Sequence, residues 1–229
     1  MNRIDFLNLS QDEKLMCAQR IITEYHLKVE ASHYLAAYKA EESSYWKPLL
    51  HVLDRLLASR DHMKVLDIGT AYGTLLLYSV LSGASGCGLD MSDLYWSKEL
   101  ESDYDISWSK CNIESESIPS DNLYDIIIFT EILEHMNYNP IPVFNKLNQS
   151  LLPGGSVLLS TPWARFFVSN YHSIDVMDLP YYQPGNSFVD AEFKYFTADE
   201  IMAIAMETGF TIKHLENYNG HLIVEMVKN

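Results

Sequence analysis

At 229 residues, with 48% hydrophobic and 21% charged content, the chain is long and apolar enough to bury the core of one globular domain and does not read as disordered. Its net charge of −15, with only 16 lysines and arginines scattered along it, argues against a nucleic-acid phosphate backbone as main partner. No apolar run reaches the roughly 18 residues of a membrane span and the N-terminus lacks a signal-peptide core, so the expectation is a cytoplasmic protein with no membrane contact.

Residues 1–60 read as helical. Ser10-Gln11-Asp12-Glu13 has the form of a capping box, and apolar residues then recur at Leu15, Ala18, Ile22, Tyr25 and Val29 at helical spacing. An aromatic-rich segment follows (Tyr34, Tyr38, Tyr45, Trp46), and Pro48 opens a second helix through Leu57.

The stretch Lys64 to Gly73, K-V-L-D-I-G-T-A-Y-G, organises the rest. Val65, Leu66 and Ile68 predict a short buried strand. Gly69, Ala71 and Gly73 keep the following turn free of bulk, and a helix runs from Thr74 to near Gly83. Such a turn offers backbone N–H groups and a helix N-terminus, while Asp67 adds a carboxylate at the strand tip. A dinucleotide fingerprint would read G-x-G-x-x-G with the pyrophosphate on the helix start. Here the order is D-x-G-x-A-x-G, and an acid in that position repels a pyrophosphate and attracts an ammonium, which disfavours a nicotinamide oxidoreductase.

Gly86 to Asp90 predicts a second strand, its terminal acid 23 residues beyond Asp67, one crossover away. A carboxylate there suits both hydroxyls of a ribose; the alternative is a surface acid. Met91 is placed to pack on an adenine face, and Ser92 reads as the cap of a helix beginning at Asp93. Ile106 to Lys110 predicts the third strand and Tyr124 to Phe129 the fourth, a continuous apolar run of the kind a parallel sheet buries on both faces. Pro140 and Pro142 start another helix, and Leu151-Leu152-Pro153-Gly154-Gly155 leads into a strand from Ser156 to Ser160. Cys17, Cys87 and Cys111, at unrelated spacings in apolar surroundings, read as buried thiols.

The D-x-G-x-A-x-G turn resembles motif I of the class I S-adenosylmethionine-dependent methyltransferases, D/E-x-G-x-G-x-G, with Ala71 where the middle glycine usually stands. Tyr124-Asp125 through Glu131-Ile132-Leu133-Glu134-His135 to Leu152-Pro153-Gly154-Gly155 is similar to the Y/F-D-x-x-x-x-x-E-x-L-E-H-V…L-x-P-G-G pattern of small-molecule members such as the O-methyltransferases of quinone biosynthesis. The resemblance covers about residues 60–229. It implies an α/β, Rossmann-like domain: a mainly parallel seven-stranded sheet with an antiparallel last strand, flanked by helices. Residues 1–60 would form a helical cap and 61–229 the core. S-adenosylmethionine is the implied cofactor. Its contacts would be Asp67, Gly69, Ala71, Gly73, Asp90, Met91 and Thr130, with Asn112 and Ile113 at the adenine.

Glu131, Glu134 and His135 fall at i, i+3 and i+4, so on a helical turn they would share a face and could converge on a divalent cation. The small-RNA 2′-O-methyltransferases use a similar E-x-x-E-H group with a later histidine, for which His172 is the candidate. The quinone-type relatives carry the same letters without that metal, and no metal is assigned here. Glu131, His135 and His172 are instead the candidate catalytic residues, with His135 as general base or, alternatively, as a structural histidine.

Residues 161–195, rich in aromatics and polar groups, are too long for a simple connection and read as an acceptor lid. The chain has Glu192-Phe193-Lys194-Tyr195-Phe196 where resembling enzymes often carry His-x-R-x-F. Thr197-Ala198-Asp199-Glu200 predicts a capping box with Phe196 and Ile201 as its staple, and Asn219-Gly220 the turn of a closing hairpin. The expected activity is methyl transfer from S-adenosylmethionine to an oxygen or nitrogen of a small molecule, a sugar or other metabolite. The open alternatives are a metal-dependent 2′-O-methyltransferase of the RNA type and a non-catalytic S-adenosylmethionine-binding protein.

Overall fold

The turn signal at Ser10 acts as its chemistry predicts. The Ser10 backbone N–H donates to the Glu13 carboxylate at 2.8 Å, and the Glu13 N–H donates to the Ser10 hydroxyl at 3.4 Å. The computed structural model describes residues 3–26, 37–119, 123–167 and 174–229; Val29, Tyr34, Tyr171 and His172 lie outside the described residues. Contacts divide the chain into two compact units, Met1–Lys110 and Cys111–Asn229.

In the first unit, α1 (Arg3–Leu7) and α2 (Gln11–His26) precede α3 (Lys39–Tyr45) and α4 (Lys47–Leu57), the last with Pro48 in its first turn. Phe6 meets Tyr78 edge-on at 5.7 Å. Then come β1 (Lys64–Ile68), α5 (Thr74–Leu81), β2 (Ser85–Asp90), α6 (Glu99–Tyr104) and β3 (Ser107–Lys110). β1, β2 and β3 pair in parallel, with Asp67 beside Gly88 and Asp90 beside Lys110.

One expectation fails here: Asp93 does not begin a helix. The Asp90 carboxylate accepts the Ser92 N–H at 2.9 Å, and the Ser92 hydroxyl accepts the Leu94 N–H at 3.2 Å. These local bonds satisfy the backbone in turns, and the helix waits until Glu99.

The second unit opens with β4 (Tyr124–Thr130), buried at every position as the unbroken apolar run requires. α7 (Ile141–Ser150), β5 (Leu151–Pro162), α8 (Ala198–Glu207), β6 (Phe210–Tyr218) and β7 (His221–Lys228) follow. β5 lies parallel to β4, while β7 runs antiparallel to both β5 and β6. The whole sheet has seven strands in the order β3-β2-β1-β4-β5-β7-β6, mostly parallel with an antiparallel last strand. The capping box at Thr197 and Glu200 forms with both bonds, and its staple residues Phe196 and Ile201 are buried. Asn219 and Gly220 take φ of 49° and 86°, so both central residues of the hairpin turn are left-handed, which tightens the return into β7. The β5–β7 ladder pairs His221 with Pro162 and so sets His221 at the carboxyl end of β5.

Candidate functional site

Two groups of side chains gather at strand ends, one in each unit. In the first, Gly69, Ala71 and Gly73 take φ of 72°, 44° and 82°, an alternation of left-handed residues that coils the chain tightly between β1 and α5. The loop's donors are used internally. The Gly69 N–H donates to the Leu89 carbonyl at 2.8 Å, the Gly73 N–H to the Thr70 carbonyl at 2.7 Å, and the Ala71 N–H to the Asp90 carboxylate at 2.9 Å. These three N–H groups shape the loop, and Asp90 holds its apex.

Asp67 is 3% exposed beneath this loop. Burial first, and then the nearby charge of Asp90, push its carboxyl well above the usual range, opposed by a hydrogen bond from the Leu76 backbone. Asp90 is half-buried, held by two backbone N–H groups, with the 48%-exposed Met91 beside it. A carboxylate at a strand tip is an acceptor of the kind the paired hydroxyls of a ribose use.

The structure adds residues that sequence reasoning missed. The Trp108 indole N–H donates to the Thr70 hydroxyl at 3.0 Å, and Trp96 stacks on Trp108 at 5.6 Å. Trp96 also covers Gly73 so closely that a Cβ there would stand 2.7 Å from its ring. Glu42, fully buried, accepts the Thr74 hydroxyl at 2.7 Å and the Gln19 amide at 2.8 Å, tying α2 and α3 to the start of α5. Tyr38 meets Tyr72 of the loop at 5.0 Å, so part of the N-terminal aromatic segment does pack on the turn.

In the second unit, Glu131 follows β4 with φ of 54° and is not helical; only Leu133–His135 forms a single 3₁₀ turn. The shared face expected for Glu131, Glu134 and His135 does not form. Glu131 accepts the Ser160 hydroxyl at 2.6 Å through one oxygen and lies 3.0 Å from His221 Nδ1 through the other. Glu134, 2% exposed, turns to the Thr161 hydroxyl at 2.9 Å, while His135 Nδ1 stands 3.8 Å from Asp190. Burial, then the charge of Glu131, drive the Glu134 carboxyl well above its usual range. Among the described residues no three His, Cys, Asp or Glu side chains converge as metal ligands.

Asn112 turns its side-chain oxygen to the Glu114 N–H at 3.0 Å, and Ile113 is buried beside it. Thr130 is buried at the end of β4. Glu114 accepts the N–H groups of Asn137 and Tyr138 at 3.1 and 2.9 Å. Tyr138 continues the chain outward: its hydroxyl donates to the Ser187 carbonyl at 2.6 Å and its ring meets Tyr182 and Phe188. The segment around Ser187 is thus tied to the loop carrying Asn112 and Ile113. His221, missed because it lies 90 residues from Glu131, was signalled only indirectly by the Asn-Gly turn before it.

A family model described as a methyltransferase domain matches residues 38–215. The chain is 28% identical over 146 residues to the ubiquinone biosynthesis O-methyltransferase of Nitrosomonas europaea, a match covering 59% of this chain and 62% of that protein. It therefore spans less than two thirds of that relative's length. The fold is similar to that of the Burkholderia thailandensis 1,6-didemethyltoxoflavin-N1-methyltransferase, solved with its acceptor and S-adenosylhomocysteine bound, with a TM-score of 0.64 at 15% identity over 90% of this chain and 87% of the other. A Pyrococcus horikoshii protein matches with a TM-score of 0.62 at 16% identity, over 85% and 92%. At such identities the structural likeness speaks for the fold alone.

Proposed function

We propose, from the premise that this chain belongs to the methyltransferase-domain family and is a class I S-adenosylmethionine-dependent enzyme, that it methylates an oxygen or nitrogen of a small-molecule acceptor. The observation that carries the reading is the β1–α5 turn with Asp90 at its apex. The Ala71 N–H bond fixes the plane of a half-exposed carboxylate at a strand tip, the chemistry a ribose diol needs. S-adenosylmethionine, when bound, supplies a methyl group on a sulfonium.

The chain's own work is then binding, alignment and exclusion of water. Asp90 and Met91 are assigned to the ribose and adenine side, Asn112 and Ile113 to the base, and residues 161–195 to the acceptor. A small acceptor is supported by the net charge of −15, which suits no nucleic-acid backbone, and by the O-methyltransferase relative.

Calorimetric titration of metal-stripped protein with S-adenosylmethionine tests the reading, repeated with magnesium or manganese. Micromolar binding without metal, weakened at least tenfold by Asp90→Ala, is the expected result. No binding under either condition overturns it, and binding that requires metal overturns the metal-independent form in favour of an RNA-type enzyme.

A further inference from the structure

Asn137, Tyr138 and Asn139, consecutive residues after the 3₁₀ turn, each take hold of a different piece of the segment assigned to the acceptor. The buried Asn139 amide donates to the carbonyls of Val176 and Leu179 at 3.0 and 3.3 Å, and the Asn139 backbone N–H donates to the Pro180 carbonyl at 2.8 Å. The Tyr138 hydroxyl reaches the Ser187 carbonyl, and its ring meets Tyr182 and Phe188, which stack on each other at 5.3 Å. The Asn137 side chain pairs with Val189 in both senses, accepting its N–H at 2.8 Å and donating to its carbonyl at 3.1 Å. Residues 176–189 are thereby held from one short run of chain.

That run is held in turn by Glu114. One carboxylate oxygen accepts the Asn137 N–H at 3.1 Å and the other the Tyr138 N–H at 2.9 Å, a two-point grip that sets the direction in which both side chains leave the backbone. Glu114 belongs to the loop assigned to the base, and its own N–H donates to the Asn112 side-chain oxygen at 3.0 Å. Neither end of this relay has regular structure of its own: residues 111–119 and 179–195 contain no helix and no strand. No ladder fixes their positions, so each depends on the bonds that run between them.

Resting on the methyltransferase reading, we propose that Glu114 is a positioning residue that couples the cofactor to the acceptor segment. The cofactor base, seated on Asn112 and Ile113, steadies Glu114. Glu114 steadies Asn137 and Tyr138, and these steady residues 176–189. The acceptor segment is firm only when the methyl donor is present, so cofactor binds first and raises acceptor affinity; by linkage, acceptor raises cofactor affinity by the same factor. The gain is alignment, because an acceptor placed against a firm wall meets the donor in one geometry.

Hydrogen exchange read by mass spectrometry tests this on the whole chain, with and without S-adenosylhomocysteine at a saturation fixed by calorimetry. With the ligand bound, amides of residues 182–193, Val189 among them, are expected to exchange about fivefold more slowly or better. Glu114→Gln sets a side-chain NH₂ against one of the two N–H groups and should reduce that slowing to less than about twofold at equal saturation. Tyr138→Phe keeps the ring packing and loses only the Ser187 bond, so the slowing should be lost over 182–189 and kept over 176–181, which Asn139 holds. Exchange of the segment that ignores the ligand, or slowing that survives Glu114→Gln, overturns the proposal and leaves the methyltransferase reading intact. Should Glu114→Gln not fold, Tyr138→Phe decides: slowing over 182–189 equal to that of the unaltered protein overturns the relay. Absence of S-adenosylhomocysteine binding is instead the failure of the methyltransferase reading.

Discussion

Lys146 Nζ lies 2.6 Å from the carbonyl oxygen of Ile113. The same ammonium reaches the Glu116 carbonyl at 2.6 Å, so one side chain from α7 ties down the loop that carries Asn112 and Ile113. Its half-burial is costly enough to lower its own pKa, the desolvation outweighing the nearby carboxylates. Lys146→Met would keep the stem and leave two carbonyls without their donor. We expect a loss of about 1–3 kcal/mol in unfolding free energy, read by urea denaturation, and at least a fivefold rise in the Kd for S-adenosylhomocysteine. Lost stability with unchanged affinity would show that the loop does not hold the adenine.

Ala71 occupies the left-handed region with φ of 44°, where a methyl-bearing residue carries strain of about 1–2 kcal/mol. Ala71→Gly relieves it and gives back part of the gain through the looser unfolded chain, about 0.4–1 kcal/mol. The net expectation is a stabilisation of about 0.5 kcal/mol and a Tm higher by about 1–2 °C, with the Asp90 bond retained. A lower Tm would mean that the Ala71 methyl makes contacts worth more than the strain.

What the sequence made legible was local or periodic. The capping boxes at Ser10 and Thr197, the Asn219-Gly220 turn and the all-buried β4 rest on chemistry within a few residues. The failures come from a competing local bond, a backbone angle or a distant partner, none of which periodicity registers. Ser92 looked like a helix cap because the grip of Asp90 on its N–H was invisible. The E-x-x-E-H face assumed a helix that the positive φ of Glu131 breaks. Trp96 over Gly73, Glu42 under Thr74 and His221 beside Glu131 are tertiary contacts with no spacing signature.

The Phe166 ring rests on Gly220, where an added methyl group would run into it, and Gly220 itself has φ of 86°. Gly220→Ala thus meets two penalties, one of backbone and one of contact, and only the second depends on Phe166. We expect a cost of about 2 kcal/mol in the unaltered protein and about 1 kcal/mol in a Phe166→Ala background, measured as a double-mutant cycle by chemical denaturation. Equal costs in both backgrounds would mean that the ring moves aside at no expense.

Glu134 gives the fold a pH dependence whose sign is fixed by its burial. Its carboxyl is pushed well above the usual range, so the folded protein holds a proton that the unfolded chain gives up near 4.5. Stability is therefore fullest below the unfolded value and declines as pH rises from there toward the raised folded value. Glu134→Gln keeps an acceptor for the Thr161 hydroxyl, now 2.9 Å away, and removes the ionisation. The variant's Tm relative to the unaltered protein should accordingly climb between pH 5 and pH 8, while Asp67, raised in the same direction, remains in both proteins and cancels from the difference. Thermal melts across that range decide it: a Tm difference that stays flat would mean that Glu134 is charged in the fold and that Thr161 and its neighbours compensate the charge in full.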